Sequence, residues 1–219
     1  MSYVSELTAE EIKEFPQGVN KFIAEAYGYL LLSLFGIFVL GLFSYNFFPD
    51  ALKWPLLFAD IAIWVACGWF GWRNPIKIVM PLFTVITGLF LGLVAHEKPD
   101  VFFTASVMTI VGFVGLSSYV WGTKKDFSFL LGILNMAFYI IIGAMLVSIF
   151  IDIPFFTLFI SGLGVLAFSG WILYDTSQII LHHDEQDSSA IAGFELLIDI
   201  VGLHAHLLSL LDSLGFGDD

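Results

Sequence analysis

The sequence predicts an all-α integral membrane protein of seven transmembrane helices, six wrapped around a polar carboxyl-terminal seventh. Three observations carry this. Hydrophobic residues are 58% of the 219-residue chain and charged residues only 13%, against norms of roughly 45–50% and 25%. The mean hydropathy is +0.91. Seven apolar stretches qualify by the roughly 20 residues that a spanning helix requires. With 8 Lys+Arg against 20 Asp+Glu the net charge is −12, so no basic face exists for nucleic-acid phosphates. The single cysteine, Cys67, excludes a disulfide framework.

The amino-terminal stretch, 1–21, is polar and acidic and reads as a solvated tail without the apolar core of a cleavable signal peptide. Thr8-Ala9-Glu10-Glu11 within it has the form of a capping box. The transmembrane domain, 22–211, then runs through segments 22–48, 54–72, 76–95, 101–122, 127–151, 155–181 and 190–211, and 212–219 is a short tail. The breaks carry Pro49, Pro75, Pro99, the Lys124-Lys125-Asp126 turn and Pro154. Proline disfavours the helical conformation of the residue before it, so these positions punctuate helices. Segment seven holds Glu195, Asp199, His204 and His206. A helix so polar is expected to be enclosed by the others.

With the amino end inside, Lys13, Lys21, Arg73, Lys77, Lys124 and Lys125 fall on the cytoplasmic side and Lys53 and Lys98 outside. The excess of basic residues inside predicts amino end in and, for seven spans, carboxyl end out. The loop from His182 to Asp187 then faces the cytoplasm.

A charge near the bilayer centre costs at least ~2.5–3.5 kcal/mol, so each one calls for a reason. Glu25 and Asp212 lie near segment ends and reach the interface; Asp60 suits either a structural hydrogen bond or a function. Asp175 lies six residues from the end of segment six and Asp199 nine from the start of segment seven. At 1.5 Å per residue these are depths of roughly 9 and 13 Å on adjacent antiparallel helices. Two carboxylates at such similar depth, within a few ångströms of one another, cannot both ionise cheaply and would share a proton and titrate as a unit. Such a pair suits a proton sensor, a cation site or a polar packing device. On the helical wheel Glu195, Asp199, Gly202 and His206 share one face, Asp175, Gln178 and His182 share another, and His204 points away. Glu195, His206 and Gln178 are therefore candidate modifiers of the pair.

Other chemistries fit less well. Tyr174-Asp175 and Gly215-Phe216-Gly217-Asp218 echo the two elements of an intramembrane aspartyl protease, but the second sits beyond the last segment, on the far side from Asp175. The His182-His183-Asp184-Glu185 run offers metal-ligand types but reads as a solvated loop. No nucleophilic triad is arranged, and the chain reads as a non-enzyme.

Three stretches together resemble the Bax-inhibitor family of membrane proteins. They are Ser117-Ser118-Tyr119 through Thr123–Leu130, Gly170-Trp171-Ile172-Leu173-Tyr174-Asp175-Thr176-Ser177-Gln178-Ile179-Ile180, and the helix that bears Asp199. The likeness spans nearly the whole chain and is nearest to the bacterial YccA branch. It implies a multi-pass protein of the bacterial cytoplasmic membrane and a pH-dependent calcium leak sensed by Asp175 and Asp199. Calcium is then the transported ion, with no other cofactor. It also implies association with an FtsH-type membrane protease, so a protease regulator without transport is the alternative. The oligomeric state stays open, a monomer being compatible. Basic residues that family members often carry at the start of helix one are replaced here by Ala24-Glu25, and Arg73 is the only arginine.

Overall fold

A computed structural model describes residues 17–70, 76–148, 154–183 and 188–217. Most of the amino-terminal stretch, Arg73 and Asp184–Asp187 of the histidine loop lie outside the described residues. The described chain is all helical. Its seven α-helices are α1 Gln17–Phe47, α2 Lys53–Phe70, α3 Ile76–Glu97, α4 Pro99–Thr123, α5 Leu131–Ser148, α6 Pro154–Leu181 and α7 Ser189–Ser213.

Local chemistry sets the ends. Pro99 opens α4, where a missing N–H costs nothing. Lys124 closes it in the left-handed region (φ 52°), its N–H returning to the Val120 carbonyl at 2.8 Å. The Ser188 hydroxyl caps α7 by accepting from the Ile191 N–H at 3.2 Å.

The expected seven-span architecture is corrected here. Among the described residues, five helices are long and apolar enough to cross a membrane: α1, α3, α4, α6 and α7. The described parts of α2 and α5, at 18 residues each, are at the short end of what a span requires. The α5 segment loses its beginning to a tight turn. Asp126 accepts the Ser128 N–H at 2.8 Å, and Ser128–Leu130 winds as a 3₁₀ turn before the α-helix starts. A second such turn, Asp50–Leu52, precedes α2.

Six helices around a seventh is also not what the structure shows. Packed chiefly against α1, α4 and α6, α7 makes only a small contact with α3. The other two helices lie outside this group, α2 against α3 and α5 against α6. Still, α7 is the most enclosed span, with 61% of its apolar window buried against 17–39% for the other four. That enclosure lets it carry polar residues at membrane depth.

The widest helix contact, α1 on α3, depends on small residues. Gly88 and Gly92 form a Gly-x-x-x-Gly face on α3. Opposite Gly88 lie the backbone of Ile37 and the side chain of Leu40; a Cβ on Gly92 would strike Ser44 and the Gly41 carbonyl. Without water to drive helices together, this close approach supplies the packing. Exposed Leu31, Leu32, Phe35 and Phe38 on α1 and Phe155 and Phe159 on α6 form the lipid-facing surface.

Candidate site on the seam between the last two helices

Helices α6 and α7 run antiparallel with an extensive interface, and their polar residues stack in layers along it. Asp175 and Asp199 form one layer. Both are buried, at 8% and 4% exposure, and each carboxyl group lies within electrostatic reach of the other. A carboxylate only accepts, so a direct bond between the two groups would need a proton on one of them. Among the described residues Asp199 Oδ2 has no hydrogen-bond partner. Around the pair, Thr176 and Ser177 are fully buried, and Thr176 Oγ1 lies 3.3 Å from Ser117 Oγ of α4.

The next layer is apolar. Phe168, seven residues before Asp175, lays its ring in the space that a side chain at position 202 would fill, so Gly202 is required there. Beyond it the His206 ring stacks on Phe168 (centroids 5.5 Å, interplanar 30°). His206 also closes over Gly164, whose missing Cβ gives the imidazole room. Further along, Ser161 Oγ and Ser209 Oγ are 2.7 Å apart. A cavity of about 270 Å³ opens at this end between α5, α6 and α7, lined among others by Thr157, Ser161, His206 and Ser209.

Other candidates fall elsewhere. Half-buried Glu195, one turn before Asp199, acts on it electrostatically. Gln178 turns away from the pair and donates to Ser128 Oγ at 2.8 Å. Glu25 accepts from Ser189 at 2.9 Å, Asp60 from Thr87 at 2.5 Å, and Asp212 pairs with Lys98. His182 meets Asp126 at 3.2 Å. The Asp126 carboxyl is held below the usual carboxylate range, first by hydrogen bonds from Ser128 and also by His182. His204 lies off the seam, 3.4 Å from Thr109 and edge-on to Phe102 at 4.8 Å. Its Nε2 has no partner among the described residues, and its ring borders a second cavity of about 270 Å³. The aromatic layer is legible only in hindsight. Phe168 is one of 24 phenylalanines, and only its pairing with Gly202 across the hairpin sets it apart.

The sequence profile of the family described as "Inhibitor of apoptosis-promoting Bax1" matches residues 19–216. The chain belongs to the Bax-inhibitor family. Relatives include an uncharacterized protein of Pseudomonas aeruginosa, 40% identical over 134 residues, covering 61% of this chain and 58% of that protein. An uncharacterized protein of Campylobacter jejuni is 31% identical over 186 residues, 81% of this chain and 78% of its own. The Golgi anti-apoptotic protein of vaccinia virus is 31% identical over 158 residues, 71% and 66% of the two chains. The match covers little more than half the length of the first two relatives found, 58% of the Pseudomonas protein and 53% of a Vibrio cholerae membrane protein. This Bax-inhibitor protein is a multi-pass membrane protein, embedded in the lipid bilayer, from a family with several bacterial members. The family is not one of enzymes. Among the described residues no three of His, Cys, Asp and Glu gather as metal ligands.

Proposed function

We propose that this protein is a pH-dependent cation leak of the bacterial cytoplasmic membrane, of the YccA branch, with its amino end in the cytoplasm. Calcium is the proposed ion. Asp175 and Asp199 form the sensing and cation-passing site, and Glu195 and His206 are modifiers. The observation that carries the reading is the burial of two mutually interacting carboxyl groups on the packed faces of α6 and α7. Holding one proton, the pair is neutralised enough for the helices to stay close. Losing it leaves two like charges in a desolvated layer, which a cation or a helix displacement relieves. A resident calcium ion takes six to eight oxygens, and two carboxyl groups supply at most four. The site therefore suits an ion in transit. The basic residues Lys21, Lys77, Lys124 and Lys125 at one end of the bundle support the orientation.

Calcium flux against pH in liposomes tests this for wild type, Asp175→Asn, Asp199→Asn and the double variant. Each single variant should abolish the pH response and the double should add little, since the two groups act as one. Single variants that keep the wild-type midpoint would make the pair a packing device. The second reading, a regulator of an FtsH-type membrane protease without transport, would then take first place. It is supported by the polar, acidic residues at the amino-terminal end of the sequence.

A further inference from the structure

Along the α6–α7 seam one apolar layer stands between the carboxyl pair on one side and the His206 and Ser161–Ser209 layers on the other. Phe168 is buried. On α7 its ring occupies the notch left by Gly202; on the other side it stacks on His206 at 5.5 Å. Gly202 is three residues from Asp199, about 4.5 Å along the helix. The same His206 lines, with Thr157, Ser161 and Ser209, the cavity of about 270 Å³. Three hydroxyls and an imidazole offer the partners that waters or a hydrated cation require. Ile172, fully buried, backs Phe168 on the side of Asp175.

We propose that the cavity at Thr157, Ser161, His206 and Ser209 is a water-filled vestibule for a hydrated cation, and that the Phe168 ring seated on Gly202 is the closed gate between it and the carboxyl pair. The gate's role in transport rests on the reading of Asp175 and Asp199 as the cation site. A constriction of this kind shuts by excluding water, with no charge of its own. Phe168 forms it within a buried apolar cluster that includes Ile172, Leu203 and Leu207. The ring leaves the path by rotating out of the notch or by a small slide of α6 on α7, and either motion carries His206 with it.

Thiol access tests the gate without reference to ion flux. In full-length protein in liposomes with Cys67→Ser, Ser209→Cys should react with a small cationic methanethiosulfonate reagent, because its side chain borders the vestibule. Ile172→Cys, beyond the ring, should be protected. Adding Phe168→Ala should speed Ile172→Cys labelling by about tenfold or more, as a dewetted constriction widens. Phe168→Leu, which keeps the site apolar and guards against a folding defect, should give an intermediate rate. An unreactive Ser209→Cys means a dry cavity and overturns the vestibule. Equal labelling of Ile172→Cys with and without Phe168→Ala overturns the gate. Calcium flux separates this proposal from the reading beneath it: a Phe168→Ala leak that Asp175→Asn leaves unchanged sinks the carboxyl-pair reading while the gate stands.

Discussion

Replacing Gly92 with alanine probes the α1–α3 contact on which the rest of the bundle is set. A methyl group at position 92 would overlap both Ser44 Oγ and the Gly41 carbonyl oxygen. Ser44, fully buried, donates to that carbonyl at 3.2 Å. Its hydroxyl can rotate away, at a cost of about 1 kcal/mol for the lost bond. The Gly41 carbonyl is main chain and moves only if α1 moves, so the crossing must widen. Overpacking of this kind costs about 1–3 kcal/mol. Together the two effects put Gly92→Ala at about 2–4 kcal/mol of destabilisation. Gly115→Ala is the matched control, because nothing lies within 4 Å of where its methyl would stand. It should be neutral or stabilising by under about 1 kcal/mol, from helix propensity alone. Reversible unfolding in mixed micelles with increasing dodecyl sulfate, followed by circular dichroism, measures both. If Gly92→Ala stays within about 0.5 kcal/mol of Gly115→Ala, the α1–α3 crossing yields more freely than close packing allows and the argument fails.

Asp126, held low by Ser128 and His182, contributes stability above its unfolded value of about 3.9 that is lost as pH falls through its lower folded value. Melting curves of wild type and Asp126→Asn should therefore differ most above about pH 4 and converge in stronger acid. Unchanged curves across the whole range would show that the tie to Ser128 and His182 contributes nothing. The Lys98–Asp212 pair joins the start of α4 to the end of α7 but is about half exposed. Lys98→Glu should cost under about 1 kcal/mol, less in high salt, and adding Asp212→Lys should restore it; a salt-independent loss would refute the ion-pair account. Thr109→Val removes the hydroxyl facing buried His204 at 3.4 Å and should cost about 1–3 kcal/mol in the same unfolding assay. A neutral result would mean that His204 finds another partner.

Much of the helix order is legible in the sequence because proline and short charged turns punctuate long apolar runs. Pro99 and the Lys124-Lys125-Asp126 turn mark α4 closely. The span count is less legible, because apolar length alone counts residues that a turn can take. Phe127–Leu130 is apolar enough to read as helix, yet Asp126 draws the Ser128 N–H into a turn and shortens α5. Likewise, polarity says that α7 must be covered but not by which helices; α1 reaches it because Gly193 lets the Ala26 backbone come close. That Asp175 and Asp199 are both buried on the packed pair α6 and α7 is legible from similar depth on consecutive antiparallel helices. Gln178 shares the Asp175 face on the wheel but is long enough to bond to Ser128 instead. The Phe168–Gly202 contact was hidden because a large residue facing an absent side chain leaves no compositional trace.

The enclosure of α7 has a consequence for how the protein is made. Of the five spans it has the lowest hydropathy, 1.7 against 1.8–2.3, and it bears a buried acid, Asp199, a half-buried one, Glu195, and a buried histidine, His204. Alone in lipid those groups would lack partners. In chain order, however, α7 leaves the ribosome after α1, α4 and α6 have been threaded, so a slot with matching hydroxyls and carboxyl group can already be waiting. Its entry is then a docking event between protein surfaces more than a partition between water and oil. A ribosome stalled before residue 189 should leave an inserted bundle with an open trough, receptive to α7 supplied as a separate peptide.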